Sequence, residues 1–207
     1  MDTFDSPFEM REEKSRTGMS KITDLDDLNI LDFPVQDRQG TRYTCGADCV
    51  QKVMEYYGVD FREMDLARIL KSDPQQGTYV KNIVEFFHKH GLKAVVKQKM
   101  TIPELIYKIN RNIPVIIMLQ AWGGKENFEK NYHNDWDHGH FVVVIGYTSN
   151  SILIADPVLF NKGYIPKSEL KSRWHDTDEG DAKTYQLGIS VYGKKPKFDK
   201  DKLERVR

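Results

Sequence analysis

Cysteine is scarce in this chain: only Cys45 and Cys49 occur. They lie four positions apart on one predicted helix, where Cβ separation and orientation suit a disulfide poorly, so both are expected to be reduced. Long apolar runs are missing too. No stretch approaches the roughly 18 residues needed to span a bilayer, and Met1 to Glu9 lacks the basic and apolar regions of a secretory signal. A transmembrane segment is excluded on that reading, and a cytoplasmic address is the default expectation. Nor is there an excess of charge, since Lys+Arg and Asp+Glu both number 31 and the net charge is zero. With no long basic tract, nucleic acid is not an expected partner. A Gly-x-x-x-x-Gly-Lys phosphate loop is also absent. What remains is 207 residues with apolar side chains spread throughout, enough for one domain with a full core.

Residues 1–31 are polar and charge-rich and read as an extension, which could be a disordered arm, a short helix packed on the body or a pro-segment covering a cleft, with composition favouring the first two; 32–193 read as the folded domain, and 194–207 as a frayed basic tail. Within the domain, Thr44 suits a helix N-cap, while Ala47, Val50, Val53, Met54 and Tyr57 recur at helical spacing and Gly58 suits the position just past the end. A second helical segment is predicted over Asp60 to Lys71, a third opening at Gly77-Thr78, and a fourth over Thr101 to Asn110 with Pro103 in its first turn. Strands are predicted over Leu92–Val96, Pro114–Leu119, His140–Tyr147, Ile152–Pro157 and Tyr185–Tyr192, with a short strand and helix over Lys162–Leu170 and a charged loop over Lys171–Lys183.

The long stretch from Ala121 to Gly139 is polar and aromatic, unusual for a plain connection, and is a candidate substrate-contact loop. Its His133, Asp135, Asp137 and His138 fit no closed zinc pattern, so no metal is expected. Its Gly123-Gly124 pair reads as a flexible hinge. His88 and His90 close the third helix and read as surface residues compatible with the helix dipole.

Cys45 would open the first helix. Unpaired N–H groups at a helix N-terminus carry partial positive charge and favour a thiolate, which makes the position chemically useful. Cys49, one turn inside, is expected to face the core. Gln39 precedes Cys45 by six residues, a spacing that lets a side-chain amide fold back beside the sulfur and donate to a developing oxyanion. Two strands joined by the turn Thr148-Ser-Asn-Ser151 read as an antiparallel hairpin, which puts His140 and Asp156 at one end. A carboxylate there would hold the imidazole's tautomer and stabilise its protonated form.

Gln39, Thr44-Cys45-Gly46-Ala47, Tyr56-Tyr57-Gly58, Gly77-Thr78, Ile113–Ile117, Gly139–Tyr147 and Ile154–Pro157 occur together in this order. Over roughly Val35 to Tyr192 the chain resembles the papain-like cysteine peptidase superfamily, specifically the bacteriocin-processing (double-glycine leader) peptidases and their stand-alone relatives. The resemblance implies an α+β fold in which an N-terminal helical half carrying the cysteine helix packs on a C-terminal antiparallel sheet. It implies Cys45 as nucleophile, His140 as general base and then acid, Asp156 as its orienter, and Gln39 with the Cys45 backbone N–H as oxyanion donors. It implies no cofactor, a peptide or protein substrate, and hydrolysis through an acyl-thioester. Two other readings stay open: an acyltransferase or amidase using the same triad, and a non-catalytic peptide-binding module.

Overall fold

The computed structural model describes residues 27–34, 38–121 and 132–201. Gly123-Gly124, most of the N-terminal extension and the end of the tail lie outside the described residues. The fold is α+β.

Helix α1 (Cys45–Tyr56) buries Val50, Val53 and Met54. Gly58, at φ +81, turns the chain just past its end, in the left-handed region that a side chain would resist. Helices α2 (Glu63–Ile69), α3 (Val80–Lys89) and α4 (Ile102–Ile109) follow. The last is capped at Thr101 by reciprocal bonds with Glu104, as Pro103 in the first turn anticipates. Thr44 does occupy the N-cap of α1, but its hydroxyl is drawn to Thr41 instead of to the helix N–H groups.

The main sheet is seven-stranded and antiparallel. Its strands are β1 (Asn29–Ile30), β2 (Lys93–Lys97), β3 (Val115–Gln120), β4 (Gly139–Tyr147), β5 (Ser151–Ala155), β6 (Gly163–Pro166) and β9 (Gly188–Tyr192), ordered β2-β9-β3-β4-β5-β6 with β1 beside β4. The centre is buried on both faces: every residue of β3 and β5 and nearly all of β4 is inaccessible. That explains why these segments read as continuous apolar runs instead of alternating ones. Helix α1 packs against β4, and Cys45 at the start of the helix meets His140 near the start of the strand.

Four sequence expectations need correction. Asn29–Ile30 pairs with Tyr147 and Gly146 of β4, and Leu31 and Phe33 are buried, so the body begins ahead of Asp32. The stretch Lys171–Lys183 is not a charged loop. It contains the end of helix α5 (Lys167–Arg173), strand β7 (His175–Asp178) and the start of β8 (Ala182–Tyr185), which form a two-stranded hairpin. Trp174, wholly buried with its indole N–H on the Leu187 carbonyl, anchors that hairpin and outweighs the local charge. Tyr185–Tyr192 is not one strand either, because Gln186 at φ +44 breaks it between β8 and β9. Finally, the tail is held at Lys197 and Phe198, whose N–H groups both donate to the Tyr56 carbonyl.

Candidate active site

Cys45 is the first residue of α1 and is 7% exposed, lining a cleft of about 280 Å³ together with His140. The helix start presents peptide N–H groups beside the sulfur, an electrostatic setting that favours negative charge there. Cys49, one turn further, is fully buried, and burial pushes its thiol well above the ordinary value.

His140 enters from the start of β4. Val143 of that strand faces Ala155 of β5 in the antiparallel register, so Asp156, just past the end of β5, falls beside the imidazole. The His140 Nε2–H donates to Asp156 Oδ1 at 2.8 Å. The same oxygen accepts the Val158 N–H at 2.8 Å, fixing the carboxylate. With Nε2 engaged in this way, Nδ1 is the nitrogen turned to the thiol, and the Cys45 side chain is hydrogen-bonded to the ring.

The electrostatics follow from these contacts. Burial alone would push His140 down, but the bond to Asp156 and the Cys45 side chain hold it up at about 9. Burial likewise opposes ionisation of Asp156, yet the His140 bond and charge, with the Val158 N–H, keep it below the usual carboxylate range. The pair is thus built to hold an imidazolium.

Gln39 is brought to the edge of this arrangement but not into the cleft lining. Its backbone N–H donates to the Pro157 carbonyl at 2.8 Å, next to Asp156, and Gly40 N–H is held by both oxygens of Glu63 at 2.9 Å. The side-chain amide gives one N–H to the Thr41 carbonyl at 2.6 Å, and its buried Oε1 has no partner among the described residues. An amide nitrogen carries two N–H donors, so this bond uses one of them.

Of the aromatic stretch expected to meet substrate, Trp136, Asp137 and Gly139 line the cleft. His138 Nδ1 is hydrogen-bonded to Asp135 at 2.8 Å, and His88 and His90 lie away from the cleft, at the end of α3. Sequence reasoning missed Asp176 and Gln120. Gln120 is a polar residue closing an apolar strand and is completely buried, a pattern visible in the sequence; Asp176 was hidden in a charge-rich segment.

Residues 35–177 match the peptidase C39 family. The chain belongs to that family. Membership makes it a peptidase by family. Among solved structures, a putative C39-like peptidase from Bacillus anthracis superposes with a TM-score of 0.60 at 20% identity, covering 82% of this chain and 100% of that one. The peptidase domain of Streptococcus ComA, a bifunctional ABC transporter of a quorum-sensing pathway, gives 0.53 at 20%, covering 80% and 97%. A double glycine motif protease from an AMS/PCAT transporter, solved with its leader peptide, gives 0.51 at 19%, covering 80% and 92%. At these identities the likeness is one of fold. No curated protein matches the chain. Among the described residues, no helix is long and apolar enough to cross a membrane.

Proposed function

We propose that this C39 peptidase is a papain-like cysteine peptidase that hydrolyses a peptide bond through Cys45, His140 and Asp156. The observation that carries the reading is the 2.8 Å bond from His140 Nε2 to Asp156, in a cleft shared with Cys45 at a helix N-terminus. Cys45 Sγ attacks the scissile carbonyl, and the oxygen that becomes negative is met by the Cys45 backbone N–H and the remaining N–H of Gln39. The His140 imidazolium then gives its proton to the leaving amine, the C–N bond breaks, and a thioester remains. Water attacks the thioester while His140 takes its proton, and the carboxylic acid and Cys45 are released. Asp156 keeps the ring oriented throughout.

A peptide substrate is in keeping with the leader-peptide complex of the double glycine motif protease. Two free thiols suit a reducing, cytoplasmic setting. The test is incubation with a mixture of unstructured peptides, with fragments and the intact enzyme both read by mass spectrometry. Paired fragments absent with Cys45→Ala, and an acyl adduct on Cys45 after acid quenching, are expected. Peptides that bind wild type and Cys45→Ala equally and are never cut would overturn the reading in favour of a binding module.

A further inference from the structure

The cleft that holds Cys45 and His140 also contains a buried carboxylate that the mechanism above leaves unused. Asp176, on β7, is 6% exposed and lines the same cleft. It fits there because position 139 lacks a side chain: a Cβ on Gly139 would lie 2.4 Å from Asp176 Oδ2 and 2.5 Å from Oδ1. The carboxylate therefore rests against the residue immediately before His140.

Its two oxygens have different surroundings. Oδ1 accepts from Gln120 Nε2 at 3.1 Å and from Thr177 N–H at 2.8 Å. The Gln120 amide is itself fixed, taking the His138 N–H at 2.9 Å on its oxygen and also giving to the His175 carbonyl at 3.2 Å. Oδ2 has no hydrogen-bond partner among the described residues. Nor is any lysine or arginine among them ion-paired with Asp176.

Packing alone does not require the charge. The two donors on Oδ1 need only an acceptor, and an asparagine carbonyl would supply one without burying a carboxylate. Burial pushes the Asp176 carboxyl up to about 7, against the donors and the nearby His140 charge that pull it down. Asp178 and Asp137 line the cleft as well, where Arg42 and the His140 imidazolium are the cationic side chains. Asp178 has a structural partner in the Val80 N–H at the start of α3, whereas Oδ2 of Asp176 has none among the described residues. Field lines from such a wall concentrate cations at its mouth.

We propose that Asp176 is a specificity-determining residue, selecting peptide substrates that carry a cationic nitrogen near the scissile bond, either a lysine or arginine side chain or a free α-ammonium group. The proposal rests on the peptidase reading. A bound ammonium or guanidinium donates to Oδ2 in a charge-assisted hydrogen bond and adds a counter-charge there, while Gln120 and Thr177 keep Oδ1 in place. Trp136 and Gly139 shape the approach.

The test is digestion of one diverse peptide library in two forms, with free and with acetylated N-termini, by wild type, Asp176→Asn and Cys45→Ala. Lysine and arginine enriched about 10-fold or more over neutral residues at one position near the cut are expected if the cation is a side chain. A requirement for a free N-terminus close to the cut is expected if it is the α-ammonium. Either preference should fall to parity in Asp176→Asn, which keeps the acceptor for Gln120 and Thr177. Cys45-dependent cleavage by wild type without cationic preference overturns the proposal and leaves the peptidase reading intact, an outcome read on wild type whether or not Asp176→Asn folds. Preference retained in Asp176→Asn also overturns it. No cleavage of any peptide overturns the peptidase reading and this proposal together.

Discussion

His140 and Asp156 are separated by 16 positions and a hairpin turn, yet the imidazole Nε2–H reaches the carboxylate at 2.8 Å. The distance follows from strand pairing: β4 and β5 are antiparallel neighbours, and the two residues flank the same end. It leaves the opposite ring nitrogen directed at Cys45, so one hydrogen bond sets the tautomer, orientation and charge of the proposed general acid.

The pH dependence of activity should carry the signature of this pair. A histidine raised above its ordinary value of about 6.5 keeps its proton until the pH passes the folded value. His140 stands at about 9, so kcat/KM should hold across neutral pH and fall on an alkaline limb near 9. The stabilisation from the charged pair has the same sign: fully present below about 6.5 and lost as pH rises through the folded value. Asp156→Asn removes the largest contributor holding the proton on, so its limb should move to lower pH and its plateau drop about 10²- to 10⁴-fold. A pH–rate series on both proteins checks this.

Gln39 separates ground-state structure from catalysis. One amide N–H is engaged with Thr41, and in the proposed mechanism the other meets an oxyanion formed only during reaction. Gln39→Ala should therefore lower kcat by about 10²- to 10³-fold with little change in KM. Steady-state kinetics with a single cleaved peptide measures the split. A rise in KM alone would assign Gln39 to substrate binding.

Beneath the cysteine, Asp48 and Lys52 form an ion pair one helical turn apart, at 0% and 4% exposure. Burial pushes Asp48 up to about 6 although Lys52 pulls it down, and its second oxygen has no partner among the described residues. Removing the carboxylate would break the ion pair that the buried Lys52 ammonium makes with Asp48. Asp48→Ala should lower unfolding free energy by about 3–5 kcal/mol. Denaturant melts at neutral pH are the measurement, and a surface variant such as Lys89→Ala should change stability by less than about 0.5 kcal/mol.

Much of this site could be read from the sequence because its parts are local signals with long-range consequences. Apolar spacing located α1 and the glycine stop at Gly58, and the four-residue turn between two apolar runs gave the hairpin that joins His140 to Asp156. Sequence patterns fail where tertiary contacts override composition. Trp174 draws a charge-rich segment into the core and makes β7, and with it Asp176, part of the cleft wall. Asn29–Ile30 gains its strand character only from the free edge of β4 beyond the end of β3, which no local pattern records. The hydroxyl of Thr44 turns to Thr41, since an N-cap residue has more than one nearby partner.

The most direct test of Cys45 as an activated nucleophile is its rate of alkylation by iodoacetamide as a function of pH, in a Cys49→Ala background with and without His140→Ala. Cys49 is fully buried, so its removal clears the signal without touching the cleft. A thiolate–imidazolium pair requires fast alkylation that persists well below pH 8 and is lost when His140 is removed. A rate that climbs only near the free-thiol value of about 8.5, and is indifferent to His140, would contradict it.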